Sequence, residues 1–234
     1  MAGPVALVGA GEFLPVMADL DRFLLAASGS SRPRVAVLPT ASYPDGEEVF
    51  RRWAAMGVEH FRALGAEVEA VLVRDASDAR DPTNAQAVGE ADLVYFSGGK
   101  SEHLLRTLAG SPVWASALAA HARGAALVGC SAGAMVLAGR QVRFRRRLPF
   151  RPSWDEALRI VPGIAVLPHY DRLPESLAAF VAIQAPRGIA VLGIDEDTAL
   201  VGRDGVWQVR GRARVTVWRG RHRERLRAGD VFRP

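Results

Sequence analysis

The stretch that decides the fold is residues 124–139, which read GAALVGCSAGAMVLAG. It begins with the apolar run 125–128, which is typical of a buried strand, and continues as Gly129-Cys130-Ser131-Ala132-Gly133. Small residues that can open a helix follow from Ala134. A strand, a Gly-x-Ser-x-Gly turn and a helix in this order are typical of a nucleophile elbow, which presents a serine on a sharp turn. The alternative is a small-residue helix start that packs tightly on the sheet.

The spacing of the glycines favours Ser131 over Cys130 as the candidate nucleophile. Glycine stands two residues to either side of Ser131, whereas Val128 and Ala132 occupy those positions around Cys130. The flanking glycines avoid collisions at the turn, and the N–H of Ala132 is left at the start of the helix to bind an oxyanion. Cys130 is therefore predicted to be a small buried hydrophobic residue.

Outward from this stretch, short apolar runs alternate with helical patterns, as in β–α–β units around a parallel sheet. The predicted strands are 5–8, 34–38, 68–73, 93–96 and 125–128, and the predicted helices are 14–27, 47–64, 102–108 and 134–137. After Gly193 the pattern changes to short strands separated by turn residues, at 198–201, 206–209 and 215–218. The sequence therefore predicts an α/β fold in one domain over residues 1–234. Its mostly parallel twisted sheet is flanked by helices, and a short antiparallel β meander closes the C-terminal end.

The composition excludes several classes of protein. The 234 residues are 49% hydrophobic and 24% charged, which is the balance of a globular protein with a sizeable core. The single cysteine allows neither an intrachain disulfide nor a multi-cysteine metal site, and it favours a reducing, cytoplasmic location. Residues 1–13 are interpreted as a first strand rather than a signal peptide, and no apolar run reaches the roughly 18 residues of a membrane span.

The net charge of +5 suggests nucleic-acid binding, but the distribution of the charge argues against it. Ten arginines and three acids lie between Arg203 and the C-terminus, a local charge of +7, so residues 1–202 sum to −2. A second basic cluster has few aromatic residues between its arginines, so it offers no platform on which bases could stack. It is predicted to be an exposed excursion over 140–152. The alternatives are a patch that binds an acidic ligand and a phosphate contact. The members of this cluster are Arg140, Arg143, Arg145, Arg146, Arg147 and Arg151. Neither a nucleic-acid nor a membrane partner is predicted, and a homodimer is left open.

Two further glycine motifs lie at predicted strand ends. Gly9-Ala10-Gly11 lacks the third glycine of a dinucleotide fingerprint, because Leu14 stands there, so it is interpreted as a tight turn. Gly98-Gly99 follows the strand at 93–96 and precedes a helix, where backbone N–H groups can face a ligand. Lys100 comes next and is predicted to reach the mouth of this cleft, either solvated or paired with a substrate carboxylate.

A serine nucleophile needs a base, and His169 is the histidine best placed to act as one. It follows an apolar run, 164–167, so it lies at a strand end that can face Ser131. A carboxylate to orient the base is available after another apolar run, where strand alternation permits either Asp195 or Glu196. With His169 as the one neutral ligand candidate, no metal site is predicted.

Together these motifs resemble the dipeptidase E and cyanophycinase family of serine peptidases, whose fold is similar to that of class-I glutamine amidotransferases. The matching segments span nearly the whole chain and are VYFSGGKSEHLL, VGCSAGAMV, LPHYDRLPE, VLGIDEDTALV and RLRAGDVF. By position, the resemblance implies that Ser131 is the nucleophile, His169 the base and Glu196 the orienting acid. It implies no cofactor.

The resemblance also implies which residues surround the nucleophile. The N–H groups of Gly99 and Ala132 are the expected oxyanion hole, and Gly98 shapes it. Lys100 takes the place of the family's Asn or Asp after the double glycine, and it is a candidate substrate-binding residue together with Arg172.

Departures from the family concern the substrate. Leu167-Pro168 precedes the histidine where cyanophycinases have Asp-Gln, and Arg172 stands alone where they have a string of arginines, so hydrolysis of the arginyl-aspartate polymer is not expected. The longer insertion by which dipeptidase E recognises an N-terminal aspartate has no counterpart. A short peptide is the expected substrate. The alternatives are a non-peptide amide or ester, and a non-catalytic binding domain.

Overall fold

The computed structural model describes residues 1–144 and 152–233, and within these residues the strands form two sheets. In chain order the strands are β1 Val5–Val8, β2 Arg34–Leu38, β3 Glu67–Ala70, β4 Leu93–Phe96, β5 Ala126–Cys130, β6 Ala138–Phe144, β7 Pro152–Glu156, β8 Val161–Leu167, β9 Ala190–Ile194, β10 Thr198–Arg203, β11 Val206–Gly211, β12 Arg214–Arg219, β13 His222–Arg227 and β14 Val231–Phe232. The first sheet has the order β14-β11-β10-β1-β5-β4-β2-β3, and the second has the order β13-β12-β9-β8-β6-β7.

Helices connect and cover the strands. They are α1 Ala18–Ala26, α2 Glu47–Ala63, α3 Pro82–Gly89, α4 Ser101–Leu108, α5 Pro112–Ala122, α6 Ala132–Leu137 and α7 Glu175–Ile183. Short 3₁₀ turns lie at Pro15–Met17, Thr40–Asp45, Asp78–Arg80 and Tyr170–Arg172. Among the helices of residues 1–144 and 152–233, none is long and apolar enough to cross a membrane.

The centre of the first sheet is parallel. β5 pairs in parallel with both β1 and β4, and β2 does so with β4 and β3. β1, β4 and β5 are buried along their whole length, as expected for strands that are covered on both faces. The predicted α/β fold with a mostly parallel core and flanking helices is confirmed.

The C-terminal strands are antiparallel, as predicted, but they divide between the two sheets. β10 pairs with β1 and then with β11, so these strands extend the first sheet. β12 instead pairs with β9 in the second sheet, and β13 follows it at the edge. Hydrophobic alternation identifies a strand and its buried face but not its partner, so the predicted single meander does not describe this pairing.

The predicted excursion over 140–152 is wrong at both of its ends. Arg140 and Arg143 lie in β6, which pairs with β7 and with β8. Arg140 forms an ion pair with Glu156 at 3.3 Å, and Arg143 forms one with Asp155 at 2.6 Å. The other members of the basic cluster, Arg145, Arg146, Arg147 and Arg151, lie outside the described residues.

The two sheets share a hydrophobic core, which brings their functional ends together. One buried cluster joins Leu7 and Leu127 of the first sheet with Val166 and Leu192 of the second. The segments that follow β4, β5, β8 and β9 meet at one place, and the ends of such strands are where open α/β sheets bind ligands. One domain over residues 1–234 fits this shared core and stays a prediction.

Candidate active site

Ser131 stands on a sharp turn between β5 and α6. Its backbone has φ 49° and ψ −106°, a strained conformation for a residue with a side chain. A Cβ at Gly129 would lie 2.4 Å from the carbonyl carbon of Gly133, and a Cβ at Gly133 would lie 2.2 Å from the Phe96 oxygen. Both flanking positions therefore require glycine, which is the reason the motif is centred on Ser131.

Cys130 is the inert neighbour of this serine. Its side chain is fully buried, and burial together with the nearby Glu12 carboxylate raises the pKa of the thiol well above its usual range. A thiol in this environment stays protonated and is a poor nucleophile. The structure agrees with the prediction that Cys130 is a small buried residue.

Ser131, His169 and Glu196 form a continuous chain of hydrogen bonds. The Ser131 hydroxyl lies 3.1 Å from His169 Nε2, and His169 Nδ1 lies 2.7 Å from Glu196 Oε1. When Nδ1–H donates to the carboxylate, Nε2 is left free to accept the serine proton. The structure thus brings together the three residues that the sequence singled out.

His169 is held by the turn after β8. Its backbone is left-handed, with φ 49° and ψ 39°, and its N–H donates to the Gly9 carbonyl at 3.4 Å. The next residue, Tyr170, is buried and accepts a hydrogen bond from Trp218 Nε1 at 2.9 Å. A Cβ at Gly193 would lie 2.1 Å from the Tyr170 ring, so this glycine allows the ring to pack across β9.

Glu196, and not Asp195, contacts the histidine. Asp195 is buried and its Oδ2 accepts from the backbone N–H and the Nε–H of Arg214, both at 3.3 Å. Burial raises the pKa of Asp195. The hydrogen bond from His169, together with one from Arg172 at 2.7 Å, lowers the pKa of Glu196, which therefore stays ionised beside the imidazole.

Asp171 is a member of this cluster that sequence reasoning missed. Its Oδ1 accepts the backbone N–H of Glu196 at 2.9 Å, which fixes the turn that carries the acid. The one available signal was its position two residues after His169, within the segment LPHYDRLPE.

The double glycine after β4 lies beside the elbow. A Cβ at Gly98 would lie 3.4 Å from Ser131 Cβ, and a Cβ at Gly99 would lie 2.3 Å from the Ala41 carbonyl oxygen. Gly99 also has a φ of +137°, which favours glycine. Ala132 is the first residue of α6, so its N–H has no acceptor within the helix. The N–H groups assigned to the oxyanion hole thus belong to two loops that meet at Ser131.

Lys100 and Arg172, the two predicted substrate-binding cations, both have partners within the chain. Lys100 Nζ lies 3.1 Å from Asp45 Oδ1, and the side chain lines a cavity of about 450 Å³ at the start of α4. Arg172 donates to Glu196 Oε2, so its guanidinium supports the acid next to the histidine. A role in substrate binding stays a prediction for each of them.

No group of three or more His, Cys, Asp or Glu side chains that could hold a metal ion occurs within the described parts of the chain.

Comparison with known proteins identifies the family. The model of peptidase family S51 matches residues 5–209. The chain belongs to peptidase family S51. This membership makes it a serine-type peptidase, and it confirms the family resemblance found in the sequence motifs.

Two solved structures are similar to this S51 chain. A peptidase from an acI-B1 actinobacterium has 32% sequence identity and a TM-score of 0.90, with 100% of this chain and 98% of that chain covered. A protein from Listeria monocytogenes EGD-e assigned to peptidase E has 18% identity and a TM-score of 0.62, with 91% of this chain and 100% of that chain covered. The second likeness shows the fold alone.

Proposed function

We propose that this peptidase hydrolyses short peptides through a Ser131–His169–Glu196 triad and an acyl-enzyme intermediate. The observation that carries the proposal is the hydrogen-bond chain from Ser131 Oγ through His169 to Glu196, with distances of 3.1 and 2.7 Å. The strained elbow supports it, because the backbone conformation exposes Oγ at the end of β5.

In the first half-reaction Ser131 Oγ attacks the carbonyl carbon of the peptide bond, and its proton passes to His169 Nε2. The imidazolium is stabilised by the Glu196 carboxylate. The negative charge that develops on the carbonyl oxygen is bound by the N–H groups of Gly99 and Ala132. His169 then gives the proton to the leaving amine, the C–N bond breaks, and an ester on Ser131 remains.

In the second half-reaction a water molecule replaces the amine. His169 takes a proton from the water as the oxygen attacks the ester carbon. The proton then returns to Ser131 Oγ, and the carboxylic acid product leaves. The cycle needs one water for each peptide bond and no cofactor.

A short substrate fits the cations at the start of α4. The cavity there is lined by Gly99 and by the cations Lys100 and Arg106, with Glu102 and His103 beside them, so two cations lie next to the proposed oxyanion hole. A free terminal carboxylate or an acidic side chain of a peptide has the charge that such cations bind. The cytoplasmic location remains a prediction, and a homodimer stays open.

The test is a cleavage profile over a library of dipeptides and tripeptides. In parallel, mass spectrometry monitors the acylation of Ser131. We expect release of free amino acids, and a slow ester substrate should leave an acyl adduct on the tryptic peptide that contains Ser131. Cys130→Ala, which removes the neighbouring thiol, is the matched control and should keep the adduct. Hydrolysis of esters or non-peptide amides without any cleavage of peptides would overturn the substrate proposal.

A further inference from the structure

Glu12 lies in the turn that follows β1, and its buried carboxylate contacts both loops next to Ser131. Its Oε1 accepts the backbone N–H of Gly98 at 2.8 Å, and its Oε2 accepts the thiol of Cys130 at 2.9 Å. Only 7% of Glu12 is exposed. Gly98 precedes Gly99 and Cys130 precedes Ser131, so a single side chain joins the two loops on either side of the site.

The absence of a side chain at Gly98 makes this contact possible. A Cβ there would lie 2.6 Å from Glu12 Oε1, which is closer than such atoms approach in proteins. The same Cβ would also lie 3.4 Å from the Cβ of Ser131. Glycine at position 98 therefore allows the carboxylate to reach the backbone N–H and leaves the surroundings of the serine clear.

The backbone of the same turn contacts the other parts of the site. The N–H groups of Ser131, His169 and Asp197 donate to three consecutive carbonyls, those of Val8, Gly9 and Ala10, at 2.9, 3.4 and 3.3 Å. Asp197 directly follows the proposed acid of the triad. The segment from the end of β1 to Glu12 is thus in contact with every loop that carries a proposed functional group.

We propose that Glu12 is a positioning residue that holds the oxyanion hole in its working geometry. The inference rests on the proposed function. Its carboxylate fixes the peptide plane that carries the Gly98 N–H, and the N–H of Lys100 donates to the Ala41 carbonyl, so the peptide plane that carries the Gly99 N–H lies between two held planes. The Cys130 thiol donates to the other carboxylate oxygen and so keeps Glu12 in place. Donors to an oxyanion are effective when they are fixed before the charge develops, so loosening the Gly98-Gly99 loop should slow the reaction.

A purely structural role for Glu12 makes a different prediction. A carboxylate that only satisfies two buried donors contributes to stability, and its removal would lower the folded fraction without changing the rate of the molecules that stay folded. A positioning role changes the rate of the folded molecules. Measurements on folded protein therefore separate the two.

The experiment measures how fast a fluorophosphonate labels Ser131 in the Glu12→Gln and Glu12→Ala variants. In this reaction an O–P bond forms on Ser131, fluoride leaves, and the serine proton passes to His169, while the phosphoryl oxygen occupies the oxyanion hole. Glutamine keeps an oxygen for the Gly98 N–H and alanine keeps none. We expect labelling to slow about tenfold for glutamine and about 10²- to 10³-fold for alanine.

Asp21→Asn is the matched control. Asp21 is also a buried acid, with 2% exposure, and it accepts a hydrogen bond from His60 at 2.8 Å rather than from the site loops. Its labelling rate should stay within about twofold of the wild-type rate, and thermal unfolding of all variants gives the folded fractions. Glu12 variants that are labelled at the wild-type rate, or slowed only as much as the control, would overturn the proposal.

Peptide turnover adds a second readout that keeps the two proposals separate. With the best peptide substrate, the Glu12 variants should lose kcat while KM changes by less than about threefold. If the loss in kcat/KM arises equally from a higher KM, the positioning role is contradicted. A wild-type protein whose Ser131 is labelled but which cleaves no peptide refutes the proposed substrate, and the labelling rates still decide the role of Glu12.

Discussion

Replacing Glu196 by glutamine exchanges one oxygen for an NH₂ group and should leave His169 in the wrong tautomer. The Arg172 guanidinium donates to Glu196 Oε2, and His169 Nδ1 donates to Oε1. Glutamine has one acceptor oxygen, and the arginine always presents donors. The amide is therefore expected to turn its oxygen to Arg172 and its NH₂ to His169. A donor facing Nδ1 moves the ring proton to Nε2, and this nitrogen then cannot accept the proton of Ser131.

The expected size of the effect follows from that tautomer change. An amide in place of the triad acid costs about 10⁴-fold in kcat when the geometry is kept, which is about 5 kcal/mol of activation free energy. Arg172→Met in the Glu196→Gln background should recover part of this loss, because the amide is then free to turn its oxygen to His169. Arg172→Met alone should have a much smaller effect, since the Glu196 carboxylate still accepts from Nδ1.

Asp195→Asn is the matched control for this substitution. Asp195 contacts Arg214 and not the histidine, so kcat on the best library peptide should stay within about threefold of wild type. Burial raises its pKa, so the stability that its protonated form contributes is present at low pH and is lost as the pH rises through the raised pKa. In urea unfolding, the stability of the variant relative to wild type should therefore increase as the pH rises above about 4, the pKa of an aspartate in the unfolded chain. Loss of turnover in Asp195→Asn with retention in Glu196→Gln would refute the assignment of the acid.

Ser131→Ala should lower kcat by at least about 10³-fold, whereas Cys130→Ala should keep most of the activity, and the opposite ranking in one assay contradicts the nucleophile assignment. His169→Ala should be inactive, because Ser131 then has no general base, and turnover close to wild type in this variant contradicts the assignment of the base. Lys100→Met should raise KM by a factor worth about 1 to 3 kcal/mol for peptides with a free carboxylate and leave amidated peptides unaffected. Equal changes in KM for both sets would show that Lys100 serves only its ion pair with Asp45.

The nucleophile and the parallel core could be predicted because both depend on local rules. The glycines around Ser131 are required by backbone collisions within one turn, and the spacing in the sequence shows this directly. The buried strands of the first sheet are continuous apolar runs, so β1, β2 and β4 were predicted with their observed bounds. The helix α5 was missed, although Ser111 caps it by accepting the Trp114 N–H and Pro112 opens it.

Glu12 could not be predicted for a different reason. It stands one residue after Gly9-Ala10-Gly11, and nothing in the local pattern distinguishes a buried acid from one at the surface of a turn. Its partners, Gly98 and Cys130, are 86 and 118 residues away along the chain. A contact of this kind follows from the order of β1, β5 and β4 in the sheet, which is information that a single sequence does not contain.

Strand alternation alone left the choice between Asp195 and Glu196 open, for the same reason that it did not give the pairing of the C-terminal strands. β9 ends at Ile194, so alternation no longer fixes which way the next two side chains point. Asp195 is drawn into the interior by Arg214 at the start of β12, and β12 lies there because it pairs with β9 in the second sheet. Had β12 continued the first sheet after β11, this arginine would not be beside Asp195. The partner of one distant strand therefore decides which carboxylate is left to face His169.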